Sequence, residues 1–433
     1  MSPSRRDFLS GTTATMVLGG TASLGGTARA ARQRPRIAVL TTVYHKYSHG
    51  QHIVDRFLAG YGWEGRHHRP PMDVVSLYVQ QERKDNFSIA RSRQHPQMKI
   101  YPTIAEALTR GRADLAVDGV LIICEHGNFP SNEKGQRLYP RFEYFQQVVD
   151  VYRASGRTAP VFNDKHLSWN WDYARQMFDT AKEMNFGFMA GSSLPLSWRL
   201  PSVDLPWGAE VEEAVGIWDE DLDAGDFHVL EALQAIVERR RGGETGVRAV
   251  EALRGERFWH ALESGSWEKG GWDKQLLEAA LCRSLQLTSR RPTYSHVFPT
   301  IDEIRRASPD SRAYRFEYLD GLKTTLIQFK PGGRAGGIVG DCSVAARLKG
   351  GEIFSVLFYL SYQSLRNFFS PLVHHIETLF LTGQSPCPLE RTLLTTGMTE
   401  AGIDSLYQNQ KRIELPHLAI RYEPPRQSQF WRT

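Results

Sequence analysis

Long hydrophobic runs, paired cysteines and blocks of like charge are missing from this sequence. Past residue 30 no stretch of about 20 uninterrupted apolar residues occurs, so no membrane-spanning helix is expected. The four cysteines, Cys124, Cys282, Cys342 and Cys387, stand far apart without a C-x-x-C pair, and neither a zinc ribbon nor a dithiol redox motif is indicated. Whether two of them bridge is left open; Cys124, ending an apolar run, reads as a small core hydrophobe. The net charge of +5 is spread along the chain. Its densest cluster, Arg239-Arg240-Arg241, falls late in a predicted helix, where cations suit the helix dipole, and no nucleic-acid partner is expected. There is no acidic block or low-complexity tract to signal disorder. What remains is an ordinary globular composition, 41% hydrophobic and 23% charged. At 433 residues the chain exceeds the roughly 250–300 residues that one core supports, and two domains are expected.

Residues 4–10, Ser-Arg-Arg-Asp-Phe-Leu-Ser, lead into a weakly apolar stretch, 11–26, and then Ala28-Arg29-Ala30. This reads as a twin-arginine export signal over residues 1–30 with cleavage before Ala31, giving a soluble periplasmic or extracellular protein with no membrane partner. That route carries folded proteins, often with a cofactor already loaded, which is a hint of a cofactor and no more.

Segment 36–43 is a short, β-branched apolar run, as expected of a strand covered on both faces. A helix from about Gly50, a strand at 72–79, helices near 86–95 and from Ile104 (capped by Thr103), a strand at 119–124, a helix at 140–154, a strand at 159–163, a helix at 170–184 and a strand at 186–190 continue a βαβ rhythm. Such alternation implies a parallel sheet with its strand-to-helix turns along one edge, where ligands bind. Loops 41–50, 125–136 and 163–169 should converge there. From about 205 the rhythm changes: strands at 210–218, 313–318, 322–330 and 352–362 with helices at 227–241 and 273–286 predict an α+β domain on a mostly antiparallel sheet. The boundaries are therefore 31–200 for a Rossmann-like domain and 201–433 for the second. The glycine-rich turn 331–337 reads as a hairpin loop, since no helix start follows it.

The order of several short pieces resembles the glucose-fructose oxidoreductase, inositol dehydrogenase and MocA family. They are Gly50-Gln51-His52-Ile53 in the first helix, 87–108 before the third strand, Val117-Asp118-Gly119-Val120-Leu121-Ile122-Ile123, Val161-Phe162-Asn163-Asp164-Lys165-His166-Leu167, 188–191, Asp226-Phe227-His228-Val229-Leu230-Glu231, and the closing 416–422, similar to the family's last strand. The resemblance implies an NAD(P)-dependent oxidoreductase acting on a sugar, polyol or glycoside. It implies that Lys165 hydrogen-bonds the reacting hydroxyl with His228 as acid–base partner. Association of like chains through the C-terminal sheet is also expected.

Three departures from the family pattern stand out. The phosphate-binding turn, normally G-x-G-x-x-G, reads Thr41-Thr42-Val43-Tyr44-His45-Lys46-Tyr47-Ser48-His49-Gly50. A dinucleotide here would have to be gripped by Lys46, Ser48 and the amide of Gly50 or Gln51. Glu82 is the acid nearest the ribose position. In the lysine motif Asp164 replaces Glu and His166 replaces Pro, and Ala224 occupies a place often held by Asp, with Asp223 and Asp226 as neighbours.

The loops hold His45, His49 and His52; Glu125 and His126; and Asp164, Lys165 and His166. These suit a divalent metal, with His45, His49 and His126 as the candidate ligands, or metal-free acid–base work. Glu125 and His126 are expected to face the ligand or cofactor. His52 reads as a packing residue of its helix; His45 and His49 as either ligands or a polar lid; Trp169 and Trp171 as either sugar-stacking or helix-packing groups; His67-His68 and His374-His375 as surface or packing residues. Beside the oxidoreductase stand a redox-neutral carbohydrate lyase or hydrolase that has lost NAD, and a non-catalytic sugar-binding protein.

Overall fold

The computed structural model describes residues 34–285, 299–330, 338–361 and 366–432. The export signal and the turn 331–337 lie outside the described residues. Residues Arg34–Thr433 cluster as one compact unit.

The first half runs β1 (Arg36–Thr41), α1 (His49–Ala59), a hairpin of β2 (Tyr61–Trp63) and β3 (Arg66–His68), β4 (Asp73–Val79), α2 (Ser88–Gln94), β5 (Lys99–Ile100), α3 (Ile104–Thr109), β6 (Gly119–Ile123), α4 (Arg141–Ser155), β7 (Val161–Asp164), α5 (Trp171–Glu183) and β8 (Phe188–Gly191). Its sheet has the order β5-β4-β1-β6-β7-β8, with every pairing parallel. Ile37 to Leu40 and all of β6 are buried, because helices cover both faces. Strand order reverses at β1, between β4 and β6, and the crevice at their carboxyl ends is the expected ligand site. Thr103 caps α3 by accepting from the Glu106 amide.

The second half follows with β9 (Trp198–Leu200), β10 (Val211–Trp218), α6 (Ala224–Val237), β11 (Val247–Arg254), α7 (Glu256–Ser264), α8 (Lys274–Arg283), α9 (Ile301–Ala307), β12 (Arg312–Tyr318), β13 (Lys323–Gln328), β14 (Cys342–Leu348), β15 (Ile353–Tyr359), α10 (Ser370–Thr382), α11 (Leu389–Tyr407) and β16 (Ile413–Glu414). The order is β16-β11-β12-β13-β10-β14-β15-β9, antiparallel except where β10 meets β13. The period of two along a strand divides its side chains between two cores. On β10, Ala214 and Trp218 belong to the main core with α6 and α11, while Val215 and Ile217 join Phe258, Trp272 and Leu276 of the α7–α9 layer.

That second layer packs the chain's own α7 and α8 on one face of the sheet. Two differences from the sequence reading are local. Of residues 416–422, Pro416–Leu418 make a 3-10 turn and Tyr422 only an isolated antiparallel bridge with Glu244, in place of a continuous strand. Arg239 and Arg240 lie past the end of α6, buried against Asp204, Glu244 and Asp320. Among the described residues no helix is long and apolar enough to cross a membrane.

Candidate active site

A cavity of about 560 Å³, within the usual size of small-molecule sites, opens at the carboxyl edge of the parallel sheet. His49, Glu125, His126, Lys165 and His228 line it, together with Trp218, Glu220, Asp223, Arg366 and Phe369.

Lys165 follows the last residue of β7 with φ +68°, and exchanges both backbone hydrogen bonds with Gly191. A left-handed non-glycine residue costs about 1–3 kcal/mol and survives where surrounding contacts enforce it. The kink turns the side chain into the cavity, with Nζ 3.4 Å from Glu125 Oε1. Arg141, fully buried at the start of α4, donates to Glu125 Oε2 at 2.6 Å. Burial alone would push the Glu125 carboxyl up, yet Lys165 and Arg141, with His49 and His126 adding, hold it well below the ordinary carboxylate range. Glu125 is therefore an ionised anchor, unsuited to taking protons.

His49 opens α1, and its Nδ1–H donates to Asp164 Oδ2 at 2.7 Å. That bond fixes the orientation of the ring at the cavity wall. His126, also at φ +68°, sits against it with ring centroids 5.3 Å apart, and burial with the nearby His49 lowers it to about 4. His228 pairs Nδ1 with the Ser192 hydroxyl at 2.6 Å; burial and then Lys165 keep its ring neutral. Across the cavity burial dominates the acids. Asp223 is raised to about 7, and Glu220 is raised against the pull of Lys165.

His166 points elsewhere: it is fully buried, Nε2 lies 3.7 Å from Asp223 Oδ1, and it does not line the cavity. Asp226 is taken up by Arg312 and Tyr314. Trp171 packs against Gly397 and His417, and Trp169 against Tyr173; neither lines the cavity, whereas Trp218 does. His52 is buried and stacked on Phe369, a packing role. Arg141, Glu220 and Trp218 were not singled out from the sequence. Arg141 alone left a trace there, as a cation in a helix's first turn, where the dipole disfavours it.

The crevice does not fit a dinucleotide in the pose this fold usually gives one. Ser48's hydroxyl is consumed by its own turn, accepting from the amides of His45 and Gln51 and donating to His45 O. Lys46 is exposed over the Tyr47 ring, and Glu82 is exposed beyond β4. Gly50 is required by packing, because a Cβ there would lie 2.6 Å from Val43 O. Gln81, just past β4, exchanges two hydrogen bonds with the Asn128 backbone beyond β6, and so spans the end of β1 where a cofactor would cross.

The proposed metal ligands do not assemble either. His45 is turned to Lys46 O and His49 is committed to Asp164. Among the described residues, three metal-type donors within 4.8 Å of one another occur only at His68, His374 and Glu377.

No protein-family model matches the sequence, and no curated protein matches it. Solved structures do. GenD2 from gentamicin A biosynthesis, in complex with NAD, is similar over 92% of this chain and 99% of its own, at 13% identity and a TM-score of 0.54. Myo-inositol dehydrogenase from Lactobacillus casei, in complex with NAD(H) and myo-inositol, matches over 88% and 96% at 9% identity and 0.52. A probable dehydrogenase from Thermotoga maritima matches over 88% and 99% at 11% identity and 0.51. A likeness at such identities is one of backbone, and does not carry a reaction with it. Six parallel strands in this order, joined to a mixed, mostly antiparallel sheet, give the chain the fold of the glucose-fructose oxidoreductase, inositol dehydrogenase and MocA family.

Proposed function

We propose that this protein is an enzyme acting on a sugar, polyol or glycoside by redox-neutral acid–base chemistry, as a lyase or hydrolase that cleaves a C–O bond. One observation carries the reading: an imidazole oriented by a carboxylate and a carboxyl raised by burial line a single cavity. His49, oriented by Asp164, is the base, and Asp223, a carboxyl raised to about 7, is the acid. His49 takes a proton from the substrate or from water. Asp223 returns one to the departing oxygen. The Lys165 ammonium, held by Glu125, supports the developing negative charge, as preorganised donors do. Trp218 offers an apolar ring face beside them.

The test is turnover of a glycoside panel followed by mass. Product masses that sum to the substrate, or to substrate plus water, with no nicotinamide needed, are expected, along with a loss of about 10²–10⁴ in kcat for His49→Ala. A product two mass units lighter than substrate, formed only with NAD(P), would overturn the reading.

The fold itself, shared with NAD-bound structures, favours a second reading: an NAD(P)-dependent oxidoreductase in which Lys165 and His228 serve the reacting hydroxyl. Natively exported protein that releases nicotinamide on denaturation would establish it. Absence of release, with no binding heat for added NAD(P), would remove it.

A further inference from the structure

The hairpin β2–β3 meets α10. His374 and Glu377 lie three residues apart on α10, a spacing that puts both on one helix face. His68, ending β3, faces them, and donor atoms of all three fall within 4.8 Å of one another. The set is only partly explained as packing. Glu377 accepts from Tyr61 Oη at 2.5 Å and from His68 Nε2 at 2.8 Å. His374, however, stacks on Trp63 with Nδ1 buried and unpartnered. An unpaired buried imidazole nitrogen is costly, and the same ring offers a donor atom to a cluster that holds a carboxylate and a second imidazole. A carboxylate already hydrogen-bonded by a tyrosine is a typical supported ligand. His68 remains part-exposed, which gives an ion a way in.

We propose that His68, His374 and Glu377 form a divalent-metal site of the zinc type, with solvent in the fourth position, that clamps the β2–β3 hairpin onto α10. Two imidazoles and one carboxylate are a common zinc set, and the donor spacing needs only small shifts to reach tetrahedral geometry. Occupation replaces the direct His68–Glu377 hydrogen bond with two bonds to the ion. The chemistry is independent of the cavity, so this site stands or falls apart from the proposed function.

The test uses purified full chain stripped with a chelator, then titrated with zinc alone by calorimetry and metal analysis. One equivalent is expected in the wild type. Affinity should fall by about 100-fold or more in His374→Ala and in His68→Ala, the second chosen because the position is part-exposed, with the melting temperature of each variant recorded beside it. His49→Ala should bind as the wild type does. Cobalt substitution gives a second readout, visible bands of four-coordinate cobalt that disappear in His68→Ala. The proposal is overturned if the wild type binds no zinc, if both ligand variants bind undiminished, or if His49→Ala removes the metal.

Discussion

Single side chains in this protein take their character from neighbours brought from distant parts of the chain. Asp223 illustrates the sign of such effects. Burial raises its pKa from 3.8 to about 7, so the proton is bound more tightly folded than unfolded. Its stabilising contribution is present below pH 3.8 and is lost as pH rises toward 7. Asp223→Asn should therefore relieve destabilisation above pH 7, visible as a higher melting temperature there and little change near pH 4. Activity should behave in parallel: if Asp223 is the acid, the alkaline fall in kcat near pH 7 should disappear with the variant, at a much lower plateau. Glu125 predicts the opposite kind of failure. Glu125→Ala leaves Arg141 buried without its partner, and denaturant unfolding should show a loss of about 3–5 kcal/mol. Lys165 could be picked out from the sequence as an amine at a strand end. Glu220 could not, because a carboxyl becomes an acid of interest only through burial that other segments supply.

Elements were far more legible than their chemistry. The strands of the parallel sheet, except the exposed two-residue edge strand β5, and the helices between them could be placed to within a few residues, since burial on both faces writes an unbroken apolar run and amphipathic burial writes a 3.6-residue period. Elements with weaker local signals escaped: β11, interrupted by Arg248 and Glu251; α7; β14; and α10 with α11, whose long buried threonine-bearing face blurs the pattern. The β1–α1 turn shows how an element can be recognised and its use misjudged. Its missing glycines were plain, but of the replacement residues Tyr44 and Ser48 turn inward to brace the loop while Lys46 and Tyr47 face solvent. The one remaining glycine belongs to that bracing. Gly50→Ala should press a methyl against Val43 O and cost about 1–3 kcal/mol by thermal or denaturant unfolding, although the position is helical and alanine is the better helix former.

On the scale of the whole chain, two sheets with helical layers make one compact unit from Arg34 onward. The Arg5-Arg6 pair precedes it, and export through the twin-arginine route remains our reading of that segment: Arg5→Lys with Arg6→Lys should leave the protein inside the cell, checked by fractionation. The linear order of apolar runs, turn residues and periodicities was enough to specify a parallel α/β half followed by a mixed sheet, because backbone hydrogen bonding and one-sided burial are satisfied locally and leave a local record. Which ionisable groups share a cavity, which sheet face is covered, and whether a histidine is a base, a brace or a ligand depend on contacts between segments up to hundreds of residues apart. Those contacts set dielectric and charge, and both exist only once the chain has folded.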